Sequence, residues 1–113
     1  MGKFEDLVAK YESEMKDTLK ISFDANLLTK VAKGCGPSIY NADASKVSGS
    51  DEKELETVKK NFLIKKLGLS DSPALDKAIA KVMEQMGTSN RNKYRAIVYY
   101  LLTKEFNKES VYK

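Results

Sequence analysis

The single cysteine, Cys35, is the most chemically reactive side chain of this sequence, and it lies between Gly34 and Gly36 just before Pro37. If a short helix begins at Pro37, its N-terminus would stabilise a thiolate at Cys35 and lower the pKa of the thiol, as in a thiol-based sensor. The alternative is that Gly34 ends one helix, Gly36 turns the chain and Cys35 packs as a small apolar residue. Because free cysteine is among the most buried residue types and no second cysteine can complete a redox cycle, the sequence favours the structural interpretation.

A second group of residues that could bind a ligand is basic. Arg91, Lys93 and Arg95 open the predicted last helix, and residues 89–113 hold six Lys and Arg against two acidic residues. Preceded by a helix and a turn that begins with Gly87, this segment has the outline of a helix-turn-helix that contacts nucleic acid. The alternative is that Arg91 and Arg95 pair with carboxylates of neighbouring helices and that Lys93 is solvated. A recognition helix needs a broad open face, which this apolar helix lacks, so any contact would be with phosphates rather than with bases.

The third candidate is a narrow stripe on the last helix, formed by Lys93, Ala96, Tyr100, Lys104 and Asn107. At 100° per residue, this stripe is the part of the helix that is predicted to stay open, and Tyr is enriched among residues that anchor protein contacts. Tyr100 therefore predicts an interaction with a protein partner or a second copy, for which the loop Gly34–Ala44 is the other candidate surface. The alternative is that the first helix or the C-terminal tail covers Tyr100, with Val111 and Tyr112 folding back.

The sequence lacks the residue types on which most catalytic and metal sites depend. It has no histidine and one cysteine, so it cannot form a Cys–His pair, a Ser–His pair or a zinc finger. It also contains no glycine-rich phosphate-binding pattern and no calcium-loop pattern. We therefore expect no metal, no cofactor and no catalytic residue.

The spacing of apolar residues is helical almost throughout the chain. It predicts five main helices, over about 3–20, 24–34, 50–68, 73–86 and 90–106, with a short helical segment at 37–41, a loop at 42–50 and a tail at 107–113. The predicted N-terminal caps are Asp24, Ser50, Ser72 and either Thr88 or Ser89, and the predicted C-terminal caps are Gly34, Gly68 and Gly87. Segment 96–102 is rich in β-branched and aromatic residues, but its wider window keeps a helical face and no strand partner exists, so we predict helix there.

These elements predict an all-α fold, a compact single-domain bundle of 113 residues with a net charge of +4. The last helix, at about 90–106, is apolar over most of its circumference and is therefore expected to be central, while Phe62 of the third helix is expected in the core. No apolar run is long enough to span a membrane and the N-terminus lacks a signal-peptide core, so we expect no membrane association and a cytoplasmic location, which the single cysteine also suits.

Three segments together resemble one family of small bacterial proteins, the domain of unknown function 2853. They are LLTKVAKGCGPSIYNADAS, ELETVKKNFLIKKLGL and NKYRAIVYYLLTKEF, and the resemblance covers nearly the whole chain with the same order and similar gaps. It implies a compact all-α fold in a bacterial, cytoplasmic protein. It implies no activity and no catalytic or binding residue, because the family has none assigned.

Overall fold

The computed structural model describes residues 2–20, 22–40, 46–47, 51–87 and 93–112. Its helices are α1 (Lys3–Ser13), α2 (Ala25–Gly34), α3 (Glu52–Thr57), α4 (Pro73–Met86) and α5 (Arg95–Glu105). The chain continues from α1 into a π-helical turn, Glu14–Thr18, and from α3 into a longer π-helical segment, Val58–Ile64; 3-10 turns occupy Gly36–Tyr40 and Glu109–Tyr112. The predicted all-α fold with five main helices is confirmed, and segment 96–102 is helical.

Helix α5 is the centre of the fold, as predicted. It packs against α2 on one side and α4 on another, while α1 packs on α2 and the π-helical segment packs on α4. Its buried residues point in nearly every direction around the axis: Ala96, Ile97, Val98, Tyr100, Leu101, Leu102 and Thr103. A helix that is apolar on all sides must be covered on all sides, because each exposed apolar face would cost hydrophobic free energy.

The π-helical segment after α3 aims three large apolar side chains at the core. Its backbone N–H groups bond five residues back, as from Leu67 N to the carbonyl oxygen of Phe62 at 2.9 Å. The wider turn places Val58, Phe62 and Leu63 on one buried side. Phe62 is therefore in the core, as predicted, with 3% of its surface exposed.

The helix caps agree with the sequence at some positions and differ at others. Asp24 caps α2 as predicted, because its side chain accepts hydrogen bonds from Asn26 N and Leu27 N at 3.0 and 3.2 Å. The cap of α3 is Asp51, whose Oδ1 accepts from Lys53 N at 3.0 Å, whereas the predicted cap Ser50 lies outside the described residues.

Gly36 turns the chain after α2 as predicted, but the left-handed cap is at Gly36 and not at the predicted cap Gly34. Gly34 is the last residue of α2, and Gly36 has the left-handed backbone, with φ of 69°. Cys35 still has right-handed helical geometry, so the helical backbone continues one residue past Gly34. Gly68 and Gly87 have positive φ values of 73° and 99° and end their helices as predicted.

The start of α5 differs from its prediction. The helix begins at Arg95 with Tyr94 as the extended N-cap residue, and the proposed caps Thr88 and Ser89 lie outside the described residues. Tyr94 forms an antiparallel bridge with Lys46, and Val47 N donates to the carbonyl oxygen of Lys93 at 2.7 Å. This pairing holds the backbone before Arg95 extended, so the helix cannot start earlier. It also ties part of the predicted loop 42–50 to the fold, with Val47 buried.

The described residues, 2–20, 22–40, 46–47, 51–87 and 93–112, contain no membrane-crossing helix. None of the helices within these ranges is long and apolar enough to cross a bilayer.

Candidate interaction site

Cys35 follows the last turn of α2 and is partly buried against the core. Its backbone N–H donates to the carbonyl oxygens of Val31 and Ala32, at 3.1 and 3.2 Å. Burial raises the pKa of the thiol to about 11, and the positive charge of Arg95 only partly opposes this. An activated sensor thiol needs the opposite shift. The direction expected from a helix N-terminus at Pro37 is therefore wrong, and the structure agrees with the packed-residue interpretation.

Cys35 forms an electrostatic cluster with Tyr11, Tyr99 and Tyr112, because burial raises the pKa of each phenol and the charge of a Cys35 thiolate is a further cause. Burial raises the pKa of Tyr11 to about 12, and the charge of a Cys35 thiolate is the next cause. Burial also raises the pKa of Tyr112, again with the Cys35 charge as the next cause. Tyr11 is fully buried, and its hydroxyl has no hydrogen-bond partner among the described residues. The cluster thus holds a thiol and a phenol that both stay protonated at neutral pH.

The side chain of Arg95 contacts Glu54 and Tyr99 within the fold. Its guanidinium forms an ion pair with Glu54 of α3 and donates to the hydroxyl of Tyr99 at 3.0 Å. The Tyr99 ring stacks on Phe62, with centroids 4.0 Å apart and planes 10° from parallel. The alternative that we considered for Arg95, a pair with a carboxylate on a neighbouring helix, is what the structure shows.

The described residues do not form the exposed basic surface that was predicted at the start of the last helix. Arg91 lies outside them, and Lys93, expected to be solvated, is 5% exposed in the extended segment before α5. Arg95 is the first residue of the helix and is paired with Glu54. A nucleic-acid contact needs several cations that reach phosphates together, so this geometry does not favour it.

The predicted open stripe on α5 is wrong over most of its length. Ala96 and Tyr100 are buried, with exposed fractions of 0% and 2%. The segment that joins α1 to α2 contacts Tyr100, since Asp24 N donates to the Tyr100 hydroxyl at 2.8 Å. Only the two C-terminal residues of the stripe, Lys104 and Asn107, are exposed. Lys104 forms an ion pair with Glu109 at 3.3 Å, and Asn107 turns the chain with φ of 54°. Tyr100 therefore stabilises the fold rather than offering a contact surface.

The other predicted interaction surface, around the loop Gly34–Ala44, carries a groove of about 450 Å³ between the start of α1, the end of α2 and the turn Gly36–Tyr40. We call it the Tyr40 groove; its lining residues are Phe4, Glu5, Ala32, Lys33, Gly36, Ile39 and Tyr40. Ile39 is buried and forms part of its floor, while Tyr40 is 51% exposed. Residues 41–44 of the loop lie outside the described residues.

Tyr40 differs from the other five tyrosines of the chain. Tyr11, Tyr94 and Tyr100 are buried, and Tyr99 and Tyr112 are partly buried against the core. Within the described residues, Tyr40 is the large apolar side chain that remains exposed. The sequence indicated the loop Gly34–Ala44 but not this residue, because the predicted helical segment 37–41 is too short for its apolar spacing to show which side chains are exposed. An aromatic residue directly before a polar loop was the available signal.

The charges beside the Tyr40 groove are mainly positive. Lys33 lines the groove, and the exposed Lys30 lies one turn earlier on the same side of α2. The carboxylate on this rim, Glu5, turns back and accepts a hydrogen bond from Gly2 N at 3.1 Å. The groove therefore combines the buried Ile39 and the exposed Tyr40 with two lysines, Lys30 and Lys33. Neither lysine forms an ion pair with a described carboxylate.

Comparison with known proteins places the chain in one family. A family model described as a protein of unknown function, DUF2853, matches residues 10–110. A search of curated proteins gives no match. The matched range contains α2 to α5, the C-terminal end of α1 and the Tyr40 segment, so it includes most of the elements described above. The chain therefore belongs to the DUF2853 family of proteins of unknown function.

Proposed function

We propose that the protein is a non-catalytic interaction module that binds a partner protein through the Tyr40 groove. The observation that carries the proposal is the 51% exposure of Tyr40 at the rim of an apolar hollow. Exposing a large aromatic costs hydrophobic free energy unless a partner covers it, and tyrosine anchors are enriched at the energetic centres of interfaces.

The charges around the groove define the chemistry of the partner. Lys30 and Lys33 are exposed on the α2 side, and no described carboxylate forms an ion pair with either lysine. Glu5 is held by the backbone of Gly2. The partner segment that fits is therefore acidic and carries an apolar side chain, which packs between Tyr40 and Ile39 while its carboxylates face the lysines.

The test compares four forms of the tagged full-length protein: wild type, Tyr40→Ala, Lys33→Glu and the matched control Lys77→Glu. Lys77 is an exposed lysine of α4, which contributes no residue to the groove. Each form is recovered from cells that produce it, and bound proteins are quantified by mass spectrometry after nuclease treatment. A partner retained by wild type and Lys77→Glu but reduced about tenfold by Tyr40→Ala and Lys33→Glu supports the proposal, since tenfold corresponds to the loss of about 1.4 kcal/mol.

Light scattering distinguishes a partner protein from a second copy. We expect a monomer mass that does not change with concentration. A wild-type dimer that becomes monomeric in Tyr40→Ala would assign the groove to self-association instead. Partners that bind Tyr40→Ala as well as wild type would contradict the proposal, and partners that disappear with nuclease would favour nucleic acid.

A further inference from the structure

The C-terminal residues 107–112, which we call the tail, fold back onto the end of α2. Asn107 reverses the chain with φ of 54°, and Lys108 N then donates to the carbonyl oxygen of Thr103 at 2.9 Å. The 3-10 turn Glu109–Tyr112 packs against α2, with Val111 and Tyr112 partly buried. The tail thus folds back as the sequence suggested, but it covers the end of α2 and not Tyr100.

Tyr112 docks at the residue directly before Cys35. A Cβ built on Gly34 would lie 3.3 Å from Cε1 of Tyr112, which is closer than side chains normally tolerate. The ring therefore lies on the bare backbone of Gly34. On another side, Lys66 Nζ is 5.0 Å from the ring centroid. Because Gly34 directly precedes Cys35, this contact places the tail beside the residue that carries the thiol.

One of the described attachments of the tail is a partly exposed ion pair. The Lys104–Glu109 pair has side-chain exposures of 48% and 36%, and exposed pairs of this kind contribute little. The turn itself has four residues at the end of the described chain and no fully buried side chain. Short segments without fully buried side chains open locally at a lower cost than the helices of a core.

We propose that the tail is a latch that closes over Cys35, and that local opening of this latch, rather than unfolding of the helices, controls access to the thiol. The thiol that the latch would cover is partly buried and packs against the core. Release of Tyr112 removes part of the cover of Cys35. It also reduces the burial that holds the pKa of the thiol at about 11. Both effects increase the amount of accessible thiolate.

The experiment measures the rate at which 5,5′-dithiobis-(2-nitrobenzoate) reacts with Cys35 in the full chain. The forms compared are wild type, Tyr112→Ala and the matched control Tyr112→Phe, which keeps the ring. We expect Tyr112→Ala to react at least about tenfold faster, because return of the thiol pKa from about 11 toward its ordinary value of 9.0 alone increases the thiolate up to about a hundredfold at neutral pH. Tyr112→Phe should stay within about twofold of wild type.

Gly34→Leu provides a second variant that keeps the helix intact. Leucine is a better helix former than glycine, and its side chain would occupy the position of the Tyr112 ring. We expect faster reaction of Cys35 with no loss of helicity. Wild-type rates are also measured in low concentrations of urea, where local opening gives a much weaker urea dependence than global unfolding. Equal rates in wild type, Tyr112→Ala and Gly34→Leu, or a wild-type urea dependence equal to that of global unfolding, would overturn the latch.

Discussion

Alkaline pH should destabilise this protein through its buried thiol. The pKa of Cys35 is 9.0 as an ordinary thiol and about 11 in the folded state, because burial disfavours the thiolate. Between these values the unfolded chain loses this proton while the folded chain keeps it. Since the folded state then binds more protons, the free energy of unfolding falls as pH rises through this window.

The size of this effect follows from the two pKa values. A shift of two units corresponds to about 2.7 kcal/mol at full separation, of which about 2 kcal/mol is lost by pH ~10.5. Tyr11 adds a smaller loss at that pH, about 1 kcal/mol, because its pKa rises from 10.0 to about 12. Neither group contributes a change below pH ~8.

Urea unfolding followed by circular dichroism at pH ~8 and ~10.5 measures the loss. Wild type should lose about 3 kcal/mol or more, and Cys35→Ala should lose about 2 kcal/mol less than wild type over the same interval. The comparison cancels any destabilisation by the substitution itself, because that term is present at both pH values. The same pH-dependent loss in wild type and Cys35→Ala would refute the burial of the thiol and its raised pKa.

Substitutions at three further positions test core packing and helix capping by urea unfolding. Phe62→Ala should cost about 3–5 kcal/mol because Phe62 is in the core and stacks on Tyr99; a loss under about 1 kcal/mol would show that the π-helical segment faces elsewhere. Tyr11→Phe should leave stability unchanged or raise it by about 1 kcal/mol, because it removes a buried hydroxyl that has no partner in the described part of the chain; a clear loss would mean that this hydroxyl is bonded. Asp51→Ala should cost about 1 kcal/mol and Asp51→Ser much less, because serine can still cap α3; equal losses would exclude a capping role.

The sequence predicted the helices and the central position of α5 because both depend on local pattern. Apolar residues at three- and four-residue steps identify a helix, and a helix that is apolar all round must be enclosed. Gly68 and Gly87 end their helices as predicted, because an achiral residue is favoured where φ is positive.

The incorrect predictions arise from contacts between residues far apart in the chain. The pairing of Lys46 with Tyr94 delays the start of α5, and nothing near Arg95 indicates it. The segment before α2 contacts Tyr100 through a bond from Asp24, 76 residues away in sequence. Helical spacing shows which residues share a face, but it cannot show which other segment covers that face. For the same reason, the exposure of Tyr40 could not be predicted.

The central claim is that a partner protein binds at Tyr40, and site-specific photo-crosslinking tests it most directly. A benzophenone amino acid placed at position 40 is compared with the same residue at position 57, an exposed position of α3 away from the groove. After irradiation of cells that produce each protein, we predict one discrete crosslinked partner from position 40, absent from position 57 and abolished by Lys33→Glu. The same crosslinked products from both positions, or none from position 40, would contradict the account.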